Sequence, residues 1–196
     1  MKLSQLCGVH SGYTARSKLE PADQGGLPVL QLRDVTAGAE FAVPESQRYD
    51  LPAAERFHVM SGDLIFRSRG EPSTAAVVRS ADVDPIVVIA PLMILRPDTR
   101  KLLPDYLAWF INRPETQRTL SSEAQGTGLR MISVATLQKL EIAVPDLATQ
   151  EQIAELDALG RLEARLLQQL AESRTRLLTT LLGEAAERAA NQEAHA

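Results

Sequence analysis

The sequence predicts a mixed α/β (α+β) chain, a small β-rich domain followed by a long C-terminal helix built to form a coiled coil. Three observations support this. Between Leu27 and Leu95, short apolar and β-branched runs recur between turn signals. From Pro104 the apolar spacing changes to that of helices. After Thr149, Leu156, Leu159, Leu162, Leu166, Leu170, Leu177 and Leu181 recur at intervals of three, four and seven. A length of 196 residues suits one domain with a core plus an appendage. The expected division is a domain over 1–146, a helix over 147–183 and a frayed tail over 184–196.

Taken in order, Met1 to Gly12 reads as a short helical segment around Leu3, Leu6 and Val9, and Gly25-Gly26 as a loop. Leu27 to Val35 alternates Val29, Gln31 and Arg33 with Leu30, Leu32 and Asp34, the pattern of a strand with one buried face. A turn at Ser61-Gly62-Asp63 leads into a strand with Leu64, Phe66 and Ser68 on one face and Ile65, Arg67 and Arg69 on the other. Its far end exposes arginines. Thr74 to Val78 and Ile86 to Leu95 read as further strands, with Pro91 marking an edge or bulge.

Pro104 suits a first helical position, and Tyr106, Leu107, Phe110 and Ile111 form the apolar face of the helix it starts; Pro114 opens another. After the polar loop Gln125-Gly126-Thr127-Gly128, Ser133 caps a helical turn leading to a strand over Leu140 to Val144, closed by Pro145. Thr149 and Gln152 form a capping box for the last helix. That helix would reach roughly 50 Å, more than a small domain needs to cover its own core, so its leucines call for a partner. Leu167, Leu178 and Leu182 widen the stripe beyond a two-helix seam. Gly160, costing about 1 kcal/mol relative to Ala in a helix interior, marks a bend or the close approach of another helix.

The formal charge of -4 argues superficially against nucleic acid, but its distribution matters more. Residues 1–146 hold 16 basic and 17 acidic side chains, and 12 of the 16 are Arg, whose planar fork suits phosphate oxygens and the guanine edge. The acidity lies in the tail, where 147–196 carries 5 basic and 8 acidic residues. No apolar run approaches the roughly 20 residues needed to span a bilayer, and no leader is evident, so a cytoplasmic, non-membrane protein is expected. Cys7 is the only cysteine, which excludes an intrachain disulfide.

Catalytic and metal motifs are missing. Cys7-x-x-His10 has no second Cys/His pair, and His58 and His195 stand alone, so no metal site is expected. No carboxylate stands two positions before any of the four lysines, as one family of metal-dependent nucleases requires. No phosphate-binding loop, dinucleotide fingerprint or G-x-S-x-G elbow occurs, and no cofactor is expected. Arg67-Ser68-Arg69-Gly70 reads equally as solvated strand-end arginines or as an anion-contacting patch. The Gly126-Thr127 loop reads as a flexible connection or as a phosphate-contacting one.

The order of these pieces resembles one repeat of a type I restriction-modification specificity subunit. The resemblance rests on KLSQL with Gly12-Tyr13-Thr14, LPVLQLRDV, SGDLIFRSRG, LLPDYLAWFIN, the Gly126-Thr127 loop and above all LQKLEIAVPDLATQEQIAEL. It implies a target recognition domain followed by the family's spacer helix, in a half-length form with one recognition domain. Full-length relatives carry two repeats whose spacer helices pack antiparallel and hold methyltransferase subunits. The resemblance therefore implies a non-catalytic subunit that binds double-stranded DNA and directs a partner adenine methyltransferase, with a restriction subunit as a further partner. A single repeat would restore the arrangement as a homodimer through Leu156, Leu159, Leu166, Leu170, Leu177 and Leu181. Within the regions so implicated, Tyr13, Arg16, Arg67, Arg69, Thr127 and Arg130 are the candidate DNA contacts. The alternatives are an adaptor of the same fold without DNA readout and, more remotely, a small hydrolase.

Overall fold

A computed structural model describes residues 1–15, 19–22, 25–36, 48–51, 54–79, 85–124 and 130–193; beyond 185 it describes only the backbone, except at Arg188. Among the described residues seven strands come first: β1 (Cys7–Ser11), β2 (Leu27–Leu30), β3 (Arg48–Tyr49), β4 (Leu64–Arg67), β5 (Ala75–Val77), β6 (Val87–Val88) and β7 (Leu92–Pro97). Helices α1 (Pro104–Asn112), α2 (Pro114–Glu123), α3 (Val134–Lys139) and α4 (Leu147–Glu193) follow. The chain forms two compact units, Met1–Ala154 and Glu155–Ala196.

In the first unit, strands in the order β1-β7-β4-β5 pair antiparallel, with Val9 opposite Leu95 and Ile65 opposite both Ile94 and Ala76. A second sheet, β3-β2-β6, pairs β2 antiparallel to β3 and parallel to β6. Alternation along β4 and β7 divides the large sheet between two cores. Leu64, Phe66, Met93 and Leu95 join Tyr106, Leu107, Phe110 and Ile111 of α1 and Leu137 of α3. Ile65, Leu92 and Ile94 join Leu30 and Val88 of the small sheet. The large sheet is therefore covered on both faces, by helices on one and by strands on the other.

Several expected elements change. Only Leu3–Gln5 of the first segment forms a helical turn, a 3-10 one, and Cys7–Ser11 is an edge strand, because β7 satisfies its backbone. The strand from Leu27 stops at Leu30, and Leu32–Asp34 is a 3-10 turn with the Asp34 carboxylate accepting from the Gln31 N–H at 2.8 Å. Pro91 lies in the link from β6 to β7 after a cis peptide bond. Leu140–Val144 is not a strand; Glu141 makes one bridge to Lys2, flanked by Leu3 N–H to Leu140 O and Ile142 N–H to Met1 O.

The start of α4 also differs. Asp146, not Thr149, caps it: its carboxylate accepts from the Thr149 N–H at 2.9 Å and from the Thr149 hydroxyl at 3.0 Å. Those hydrogen bonds hold the carboxyl below the usual aspartate range. The side chain of fully buried Gln150 accepts from the Leu103 N–H and donates to the carbonyls of Lys101 and Pro145, joining the first helical turn to the entry of α1. The helix continues through Gly183 to Glu193, since alanine- and glutamate-rich sequence propagates helix and one glycine does not stop it. No helix among the described residues is long and apolar enough to cross a membrane.

Candidate nucleic-acid interface

The end of β4 carries the arginine-rich segment out of the sheet. Beyond Arg67 the backbone turns to pair with residues 130–132: Ile132 N–H donates to Ser68 O at 2.8 Å, Gly70 N–H donates to Arg130 O at 3.1 Å, and Arg69 bridges Met131. This antiparallel contact brings Arg69 and Arg130, far apart in sequence, onto adjacent strands. Both are exposed. The Arg69 side chain has no hydrogen bond or ion pair among the described residues. Arg130 reaches the carboxylate of Glu71 at 3.7 Å and donates to Ser121 O at 3.3 Å, while the Ser121 hydroxyl donates to Glu71 at 2.8 Å.

Arg67 is placed differently. It is half-buried, its Nη1 donates to Pro72 O at 3.2 Å, and its guanidinium lies beneath Gly70. Tyr13 belongs to another part of the domain: its N–H donates to Val88 O, its carbonyl accepts from the Ala90 N–H, and its ring meets Phe57 edge-on at 5.3 Å. Arg16 and Thr127, with the Gln125–Gly128 loop, lie outside the described residues.

Beside the arginines is a cleft of about 370 Å³ lined by Glu71, Ser73, Gln117, Arg118, Ser121 and Arg130. Two amide side chains, absent from the sequence expectation, fix the backbone beside it, and one of them, Gln117, lines it. Asn112 and Gln117 each accept from and donate to the backbone of β5's outer edge, at Ala75 and Ser73, with distances of 2.8 to 3.0 Å. They occupy the positions a further strand would take and fix α2 against the turn at residues 70–73. A hint lay in the polar amides at the α1–α2 junction, next to an otherwise apolar helix.

Among the described residues, no group of three or more His, Cys, Asp and Glu is placed to hold a metal ion. Cys7 is buried, and burial pushes its thiol up to about 12, which suppresses the nucleophilic thiolate. Asp63 is buried in a two-pronged pair with Arg96, at 2.9 and 2.8 Å, and accepts from the Met60 N–H, so its oxygens are committed to structure.

Residues 1–172 match the family model for the type I restriction modification DNA specificity domain. The chain belongs to that family. Comparison with curated protein sequences gives no match. Among solved structures, the specificity-family fold is similar to the HsdS subunit from Thermoanaerobacter tengcongensis, with 22% identity over 85% of this chain and 38% of the other and a TM-score of 0.59. It is also similar to the type I S subunit from M. genitalium, at 16% identity over 84% and 39%, TM-score 0.56. A third match comes from a study of complex assembly and conformational transition in a type I R-M system, at 20% identity over 90% and 42%, TM-score 0.65. The chain thus spans about two fifths of the length of these structures.

Within this family fold, the paired segments 68–70 and 130–132 provide a rigid base from which two guanidinium groups face solvent. Backbone pairing limits the conformational entropy lost when such side chains engage a ligand. Arginines so held suit phosphate oxygens or the O6/N7 edge of guanine.

Proposed function

We propose that this chain is a non-catalytic, sequence-specific DNA-recognition subunit that directs a partner adenine methyltransferase, and a restriction subunit where one is present, to their target. The observation that carries the reading is the pairing of Arg69 with Met131, which places Arg69, without a side-chain partner among the described residues, and Arg130 on adjacent paired segments in a member of the DNA specificity family. Arg16 and Thr127 are proposed as further DNA contacts. Tyr13, bonded to Val88 and Ala90 beside the small sheet, is proposed as a contact from another part of the domain.

The same reading assigns the exposed leucines of α4 to assembly. Leu156, Leu159, Leu166, Leu170, Leu177 and Leu181 would form a homodimer seam, leaving Leu167, Leu178 and Leu182 on the flank for the methyltransferase. Two recognition domains related by a two-fold axis would then read an interrupted, symmetric site. This work belongs to the cytoplasm, where methyltransferase and chromosome meet.

Equilibrium binding to duplex DNA at several salt concentrations tests the DNA reading. For each of Arg69→Ala and Arg130→Ala, we expect either a salt slope lower by about one unit, if a phosphate contact is lost, or a loss of about 1–3 kcal/mol at one base position, if a base contact is lost. Unchanged affinity, slope and preference in the double variant, with the fold intact, would favour an adaptor without DNA readout.

A further inference from the structure

Resting on the reading of this patch as a DNA contact, we infer that Arg67 is a positioning residue that holds the Arg69 turn in its reading geometry and does not itself touch DNA. Arg67 and Arg69 lie on the same side of the chain and are equivalent in the sequence pattern, so they invite the same role. The structure separates them. The Arg67 backbone is still in the sheet: its N–H donates to Thr74 O at 2.8 Å, and it stands opposite Leu92 in the register with β7. Its side chain emerges on the side of Ile65, the face covered by the small sheet, and remains half-buried.

From there the guanidinium folds back under the next turn. Nη1 donates to Pro72 O at 3.2 Å, and a Cβ built on Gly70 would lie 3.2 Å from both Nη atoms. Gly70 has a φ of +87°, a conformation that glycine tolerates and other residues rarely adopt. The turn thus closes over the guanidinium because residue 70 has neither a side chain nor a negative φ. Nε is buried and has no partner among the described residues, whereas the Nη1 bond to Pro72 O lies at the exposed end of the side chain.

An Arg in this position joins both ends of the turn. It leaves the sheet at residue 67, reaches the carbonyl of residue 72 and passes beneath residue 70, whose N–H is bonded to Arg130 O at 3.1 Å. The segment it braces is therefore the one that presents Arg69 and registers it against Met131. Arg69, two residues on, is exposed and has no side-chain partner among the described residues. One arginine is a strut and the other is the contact.

The test uses the full chain and a duplex chosen by repeated selection from a random-sequence pool. Arg67→Met keeps the stem that packs along the sheet and removes only the charged head. Arg69→Ala is expected to relax preference at one base position. Arg67→Met is expected to relax the same position, by about tenfold, the loss of roughly one charge-assisted hydrogen bond's positioning. It should lower the slope of log affinity against log salt no further than Arg69→Ala does, because it acts only through that residue. The Arg67→Met, Arg69→Ala double variant should bind no more weakly than Arg69→Ala alone, since the first residue acts through the second. Gly70→Ala, which crowds the guanidinium from above, should reproduce the Arg67→Met effect.

A merely structural Arg67 would lower the unfolding midpoint without changing base preference, and that result overturns the inference. A salt slope lowered by about one unit more than in Arg69→Ala, or additive losses in the double variant, would make Arg67 a contact in its own right and overturn it too. The Arg69→Ala measurement keeps the two levels apart: if that variant alone binds and discriminates like the unmodified chain, the DNA reading of the patch fails and the positioning role fails with it.

Discussion

In the domain, Leu3, Leu30, Leu64, Leu92, Leu95, Leu102 and Leu107 are fully buried, whereas from Glu155 onward every leucine of α4 is 41–70% exposed. The residue type is the same, and the apolar area that each could remove from water is the same, worth about 1.5–3 kcal/mol per side chain when fully buried. What differs is the second surface. In the domain, two sheets and three short helices supply one another with apolar faces. Over Glu155–Leu182 the leucines stay exposed, and in the proposed dimer the partner helix would supply the face that buries them.

Truncating a core side chain tests the first half of that contrast and should give the largest effect. Phe66→Ala should cost about 3–5 kcal/mol in denaturant unfolding, because the side chain is fully enclosed and α1 cannot collapse onto the gap. By contrast, Leu170→Ala, in the helix, should leave the domain's unfolding midpoint where it was. Next in size is Gln150→Leu, at the junction where α4 leaves the domain. It removes the partner of the half-buried Leu103 N–H and should cost about 1–3 kcal/mol, read in the same titration.

An effect confined to alkaline pH comes from Cys7. In the unfolded chain its thiol ionises near its ordinary value of 9.0, and in the fold only near about 12. The contribution is therefore fully present below pH 9.0 and is lost as the pH rises toward the folded value. Between those limits the unmodified protein should lose up to about 1.4 kcal/mol per pH unit relative to Cys7→Ala, whose curve lacks this term. An identical pH dependence in both proteins would show that Cys7 is accessible to water. The smallest effect is expected at Asp146, an exposed cap. Its folded value is lowered, so its contribution is present above the ordinary aspartate range and disappears as the pH falls through the folded value. Circular dichroism of Asp146→Ala should show slightly less helix near neutrality and no difference in strong acid.

The parts of this architecture that were legible in the sequence are those fixed by local chemistry. Pro104 and Pro114 start α1 and α2 where proline's missing N–H costs nothing, and Ser133 caps α3 by accepting from the Thr136 N–H at 3.0 Å. The turn at Gly62 and strand β4 likewise follow from their own residues. What escaped depends on partners distant in sequence. Leu3, Leu6 and Val9 have a spacing that suits a helix, and only the pairing of β1 with β7 makes Val9 a strand residue. Asp146 replaced Thr149 as the cap because the helix starts one turn earlier than its polar signal suggests. In the candidate interface, the arginines themselves were legible, but the bridge that joins Arg69 to Met131 was not. Nor was the fold-back of Arg67 beneath Gly70, which needs the turn at residues 70–73 to be held by Gln117 of α2.

The central claim is the division of labour between a domain that reads DNA and a helix that pairs the readers. Its most direct test is selection of bound duplexes from a random pool by two proteins, the unmodified chain and the Leu166→Glu, Leu170→Glu variant, whose added charges cannot be buried in a helix seam. Light scattering should find the first a dimer and the second a monomer. The dimer is expected to select an inverted repeat with a fixed gap, and the monomer to select one half of that repeat with no fixed spacing to a second. A single uninterrupted site recovered equally by both proteins, or no enrichment by either, would contradict the account.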